Sequence, residues 1–174
     1  MTDTLVTDEL TLRPWQRTDI PALVAAGQDA DLRRWLTTPL LDEADAERWV
    51  QTQQDGWTAG TRYGFAVVAP EGLVGHATVK DLAPGRPTAE VGYWTAAHAR
   101  GRAIAPRALT TLTTWTLTTF GPAGLQRLDL LHQEDNQASC RVAEKSGYPF
   151  SHLLPATPPD FPRTGHVHVR PAVG

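Results

Sequence analysis

Between residues 65 and 94 the side-chain pattern has the period of a strand, and after residue 104 it has the period of a helix. Phe65-Ala66-Val67-Val68 and Leu73-Val74-Gly75-His76-Ala77-Thr78-Val79 flank the turn formers Pro70-Glu71-Gly72, which predicts a hairpin. Glu90-Val91-Gly92-Tyr93-Trp94 supplies another strand after a proline loop at residues 84–87. Ala105, Leu109, Leu112, Thr116 and Phe120 then recur on one helical face. Consecutive antiparallel strands followed by a helix require an α/β chain with a sheet of mixed direction.

The first third is compatible with that reading. Leu10, Leu12 and Pro14 predict a first strand. Thr18 or Asp19 caps a helix that carries Pro21 in its first turn and ends near Gly27 or a turn later. A second helix is predicted over residues 42–57, with Trp49, Val50 and Gln53 along it. No linker or repeat divides the chain, and 174 residues with 41% hydrophobic content suit one sizeable core. Residues 1–174 are therefore read as a single domain.

Composition excludes several partners. A net charge of -3 gives no reason to expect nucleic acid, since phosphate backbones reward clustered Lys and Arg. The polar start is unlike a secretory signal and no run approaches a membrane span, so the cytoplasm is the expected compartment and no membrane contact is expected. Cys140 is the only cysteine, which forbids an internal disulfide and a thiolate cluster, and it has no sequence-level partner that marks an activated thiolate. His166-Val167-His168 puts two imidazoles on one face of a terminal strand, but the sequence identifies no third ligand, so no metal is expected.

The sharpest signal is Arg100-Gly101-Arg102-Ala103-Ile104-Ala105, which follows a strand and opens a helix. A small-residue turn there presents unpaired backbone N–H groups, and the helix dipole adds positive potential, as a pyrophosphate cradle requires. The same turn also serves tight strand-to-helix packing in many folds, and local sequence does not separate the two readings. Pro106 cannot donate an N–H, so backbone donation should stop at Ala105.

These residues resemble the acetyl-CoA loop of the GNAT N-acetyltransferase superfamily, written Gln/Arg-x-x-Gly-x-Gly/Ala, with Ala103 in place of its usual first glycine. Asp135-Asn136-Gln137-Ala138-Ser139-Cys140 and the helix after it resemble the asparagine helix of the ribosomal-protein alanine/serine N-acetyltransferase branch. Leu10-Thr11-Leu12-Arg13-Pro14-Trp15 is similar to that branch's first strand. The likeness runs over about residues 10–148 with the motifs in order.

The resemblance implies a mostly antiparallel sheet, splayed between its fourth and fifth strands and flanked by about four helices, with the pantetheine arm of acetyl-CoA in the opening. Trp94, Thr95 and Ala96 are expected to offer backbone groups to that arm, and Arg100 through Ala105 to hold the pyrophosphate. Asn136 caps its helix and approaches the cofactor. Relatives that protonate the departing thiolate with a tyrosine place it at the position of Ala143, so Ser139 is the substitute donor, while Tyr148 is read as a core strand residue.

The base that deprotonates the acceptor ammonium is ranked Glu90, then Asp160 in the closing segment, then His76. Trp35, Trp49 and Trp57 either line an acceptor pocket or belong to the core. The expected reaction is direct attack of a primary amine, from a small molecule or a protein N-terminus, on acetyl-CoA within a ternary complex, by a monomer or homodimer. A non-catalytic acyl-CoA sensor of the same fold and a phosphate-binding domain of another fold are the competing readings.

Overall fold

The computed structural model describes residues 3–159 and 161–172. In chain order the elements are β1 (Leu5–Thr7), β2 (Leu10–Pro14), α1 (Ile20–Gly27), α2 (Ala30–Trp35), α3 (Glu43–Ala59), β3 (Arg62–Ala69), β4 (Gly72–Lys80), β5 (Thr88–Thr95), α4 (Ile104–Phe120), β6 (Arg127–Gln133), α5 (Gln137–Lys145), β7 (Phe150–Leu154) and β8 (Gly165–Pro171). The strands form one eight-stranded sheet in the order β1-β2-β3-β4-β5-β6-β8-β7. Every neighbouring pair is antiparallel except β5 and β6.

Local chemistry accounts for the helix boundaries. The Asp42 side chain accepts the N–H of Asp45 at 2.8 Å to start α3, and Gly60 ends it at φ 68°, where a Cβ would be strained. Pro21 stands in the first turn of α1, where its missing N–H is harmless. Two elements go beyond the sequence reading. α2 is six residues long, begins where the Asp29 carboxylate accepts the N–H of Leu32 at 3.0 Å, and buries only Leu32. β1 is a three-residue strand paired to β2. Neither is long enough to show a period.

Alternation along the strands divides the core between the two faces of the sheet. On one face Phe65, Val67, Val79 and Val91 pack with Leu109 and Leu112 of α4 and with Tyr148. On the other face Ala66 and Trp94 pack with Trp15, Leu23 of α1 and Val50 of α3. Tyr148 is fully buried, as expected of a core residue, but it stands in the loop before β7 and its hydroxyl pairs with Thr113 at 2.6 Å. Among the described residues, no helix is long and apolar enough to cross a membrane.

The parallel pairing of β5 and β6 ends at Val91 opposite Leu130, although β5 continues to Thr95 and β6 to Gln133. The two strand ends diverge there, which is the splay expected between the fourth and fifth strands of the sequence reading. The additional β1 shifts the count by one.

Candidate active site

Strand parity decides which backbone groups face the splay. Ala96 N–H donates to Val74 O on β4 at 2.9 Å, and successive residues of a strand direct their backbone groups to opposite sides. Trp94 therefore also turns its backbone toward β4, while Tyr93 and Thr95 turn theirs toward the opening. Of the residues expected to offer backbone groups there, Thr95 does so. Trp94 and Ala96 do not, and Tyr93 takes their place. Trp94 nevertheless lines the cleft, and Ala96 is buried outside the lining.

The cleft measures about 740 Å³ and is walled by the end of β5, residues 99–101 and 103–106, α2 and α5. Gly101 has φ 77° and Ala103 has φ 55°, so the turn is left-handed at both positions. Among the described residues, the N–H groups of Gly101, Arg102, Ala103, Ile104 and Ala105 have no backbone partner, and the next donor, Arg107, reaches Ala103 O at 3.3 Å. Five free donors at a helix start form a ready anion site. Gly101, Ala103, Ile104, Ala105 and Pro106 line the cleft.

The two arginine side chains have other partners. Arg100 lines the cleft but pairs with Asp29 and, at 3.3 Å, with Asp31, while Arg102 pairs with Glu71 and lies outside the lining. A further pair, Arg34 with Asp135 at 2.9 Å, ties α2 to the segment before α5.

The left-handed Ala103 carries a measurable penalty. An L-residue in this region costs about 1–2 kcal/mol, and the exposed Ala103 methyl has little packing to lose. Ala103→Gly is expected to stabilise the fold by about 0.5–1 kcal/mol after glycine's greater chain entropy is subtracted, a rise of a few degrees in thermal melting. An unchanged or lower melting temperature contradicts the strain.

On α5, the Asn136 side chain caps the helix by accepting the N–H of Ser139 at 3.1 Å. Asn136 and Ser139 both line the cleft. The Ser139 hydroxyl pairs with the Tyr93 hydroxyl at 2.8 Å, a bond that spans the splay. Burial pushes the Tyr93 phenol up to about 12, so it remains a proton donor at neutral pH. Sequence reasoning passed over Tyr93 because a strand aromatic reads as core.

A second cavity of about 520 Å³ opens on the other face and shares Trp35, Leu36, Tyr93 and Trp94 with the cleft. Trp49, Gln53, Arg62, His76 and Lys80 also line it. Two of its polar atoms, Trp94 Nε1 and Gln53 Oε1, are buried without a partner among the described residues. Trp57 belongs instead to an aromatic cluster with Tyr63, Phe65 and Trp115.

The candidate bases fare differently. Glu90 stands on the strand face of this cavity but outside its lining, and its carboxylate pairs with Lys80 at 2.8 Å. His76 lines the cavity, yet burial pushes it down to about 3, and its Nδ1 lies 3.0 Å from the Trp15 indole N–H. An indole only donates, so Trp15 makes Nδ1 an acceptor and leaves the ring neutral. The same Nδ1 is 3.0 Å from Phe65 O, a bond that the competing tautomer alone permits. Asp160 lies outside the described residues.

The sequence matches the family model of the acetyltransferase (GNAT) domain over residues 9–149. A search of curated proteins returned no match. Among solved structures, the chain is similar to the ribosomal L7/L12 alpha-N-protein acetyltransferase RimL in complex with coenzyme A, at TM-score 0.86 and 19% identity over 97% of this chain and 98% of that one. It is also similar to Mycobacterium smegmatis RimJ in complex with CoA-disulfide, at TM-score 0.81 and 20% identity over 98% and 87% of the two chains. The microcin C7 self-immunity acetyltransferase MccE, in complex with acetyl-CoA and AMP, gives TM-score 0.82 and 15% identity over 95% and 93%. At these identities the structural likeness establishes the fold, and with the family match spanning most of the sequence, the chain belongs to the GNAT acetyltransferase family.

Proposed function

We propose that this chain transfers an acetyl group from acetyl-CoA to a primary amine by direct attack within a ternary complex. The carrying observation is that two cavities on opposite faces of the sheet meet at Tyr93 and Trp94, beside the end of the splayed strand. The cleft with the free N–H groups suits the pyrophosphate and pantetheine of acetyl-CoA, and the structural neighbours crystallised with coenzyme A or acetyl-CoA support that assignment. The second cavity holds the acceptor.

The amine nitrogen attacks the thioester carbonyl, and the free N–H groups of Tyr93 or Thr95 stabilise the oxyanion. As the C–S bond breaks, Ser139 gives its proton to the departing thiolate while Tyr93 donates to the Ser139 oxygen, and the serine regains a proton through water from the acylated nitrogen. Deprotonation of the ammonium falls to water in the cavity, since Glu90 is held by Lys80 and His76 is too weak a base. Among the cations lining the cavity, Arg48 pairs with Asp45 and Lys80 with Glu90, while Arg62 has no ion-pair partner among the described residues. That charge balance favours an acceptor carrying an anionic group near its amine, in a small molecule or at a protein N-terminus.

Initial-rate kinetics with acetyl-CoA and a panel of primary amines, with and without a carboxylate, test this reading through release of free thiol. Intersecting double-reciprocal lines and a preference for the anionic amines are expected. Parallel lines mean a covalent acyl-enzyme and overturn direct attack. Tight acetyl-CoA binding with no turnover across the panel makes the chain a sensor.

A further inference from the structure

A second polar constellation lies on the far side of α5 from the cleft. His132 on β6 pairs in register with His166 on β8, and His168 stands two residues further along β8. Cys140 faces them from α5. One helical position, or about 100°, separates it from Ser139, which places the two side chains on different faces of α5. Cys140 accordingly does not line the cleft. The terminal histidine pair that alone gave no reason to expect a metal thus gains the two missing ligands from distant segments.

The distances approach those of a coordination shell. Cys140 Sγ lies 3.4 Å from His132 Nε2, 3.3 Å from His166 Nδ1 and 3.8 Å from His168 Nε2. His132 Nε2 and His168 Nε2 are 3.1 Å apart, and one ligand atom from each of the four residues fits within 4.8 Å of all the others. A tetrahedral zinc with ordinary Zn–N and Zn–S bonds has ligand–ligand edges of roughly 3.3–3.6 Å.

Hydrogen bonding gives an independent reason for a cation. His132 Nδ1 lies 2.7 Å from Gln133 O, and His168 Nδ1 lies 3.0 Å from Tyr148 O. Carbonyls only accept, so each Nδ1 carries a ring proton, and in the neutral rings each Nε2 presents a lone pair. The two lone pairs face each other at 3.1 Å, with His168 fully buried. One shared proton satisfies only this pair, whereas a metal ion also engages Cys140 and His166, which stand against it. Backbone carbonyls that orient a histidine through its second nitrogen are the usual outer support of a metal site. Phe150 covers the group, with its ring centroid 5.2 Å from that of His166.

We propose that His132, Cys140, His166 and His168 form a four-ligand site for Zn²⁺. On binding, the Cys140 S–H bond breaks, the proton leaves to solvent and the thiolate takes the metal. Protein atoms fill all four positions, so the site is structural and clamps α5 to β6 and β8 next to Ser139.

The test uses the untagged full-length chain, stripped with a chelator and titrated with Co²⁺ and then Zn²⁺. Expected are one Co²⁺ per chain, intense visible bands of tetrahedral cobalt, a near-ultraviolet thiolate-to-cobalt band, release of about one proton per metal, and stoichiometric displacement by Zn²⁺. Cys140→Ser abolishes the thiolate band. Both it and His166→Gln weaken Zn²⁺ binding by more than about a hundredfold, above the usual effect of an outer partner, with unchanged circular dichroism. If Cys140→Ser does not fold, His166→Gln decides. Failure to bind an equimolar ion, a weak octahedral cobalt spectrum, or unchanged affinity in a folded variant overturns the site.

Discussion

Ser139→Ala is expected to lower kcat by about a hundredfold or more while leaving acetyl-CoA affinity within a few-fold, because a positioned general acid is typically worth that much. The loss should appear equally in kcat and kcat/KM, the signature of an interaction made in the transition state. Tyr93→Phe removes the hydroxyl that supports Ser139 and should act in the same direction by a smaller factor. The double variant should be no slower than Ser139→Ala, since the two hydroxyls act as one unit. Burial holds the Tyr93 phenol up to about 12, so its ionisation should not shape the rate profile at neutral pH. Glu90→Gln serves as the contrast. Its carboxylate is held by Lys80 outside the cavity lining, so its turnover should stay close to wild type. A hundredfold loss in Glu90→Gln that recovers at high pH restores a proton-relay role to Glu90. Wild-type rates in Ser139→Ala and Tyr93→Phe leave catalysis to positioning by the backbone.

Gly75→Ala is expected to destabilise the fold by about 1–3 kcal/mol or more, through overpacking between strands. A Cβ there would stand 2.5 Å from the backbone oxygen of Trp94 and 3.5 Å from the Thr95 Cα. The obstruction is backbone and has no rotamer to change, so β4 and β5 must part beside the cleft. Acetyl-CoA binding should weaken in the same variant, because Thr95 directs its backbone into the opening. Gly92→Ala on the neighbouring β5 provides the control. Its Cβ would meet only a Thr78 methyl at 3.5 Å, an ordinary contact, so stability should change little. Urea unfolding and calorimetry of both variants separate these outcomes. Equal stability in the two contradicts the close approach at Gly75.

The long periodic segments were legible because each carries its own boundary chemistry. Asp42 caps α3, Pro70-Glu71-Gly72 turns the hairpin, and the face of Ala105, Leu109, Leu112 and Thr116 is buried as its spacing implies. The mostly antiparallel sheet and its splay followed from the family likeness. What escaped depended on relations between distant segments. Whether Trp94 or Thr95 turns its backbone into the cleft depends on strand parity, which is fixed by the bond from Ala96 to Val74. Tyr93 gains its partner only because α5 brings Ser139 across the opening. His132 and Cys140 join the terminal histidines only through the pairing of β6 with β8 and the placement of α5.

Trp35 and Leu36, at the end of α2, belong to the walls of both cavities. Ion pairs fasten the same short helix to Arg100 on one side and to Asp135 on the other. If the two cavities bind as proposed, a ligand that shifts this shared wall alters the fit of the other, and the two sites are expected to be thermodynamically linked. The linkage is reciprocal: whatever factor acetyl-CoA imposes on amine affinity, the amine imposes on acetyl-CoA affinity. Since the tethers are partly exposed ion pairs, the strength of that cooperativity becomes a function of ionic strength.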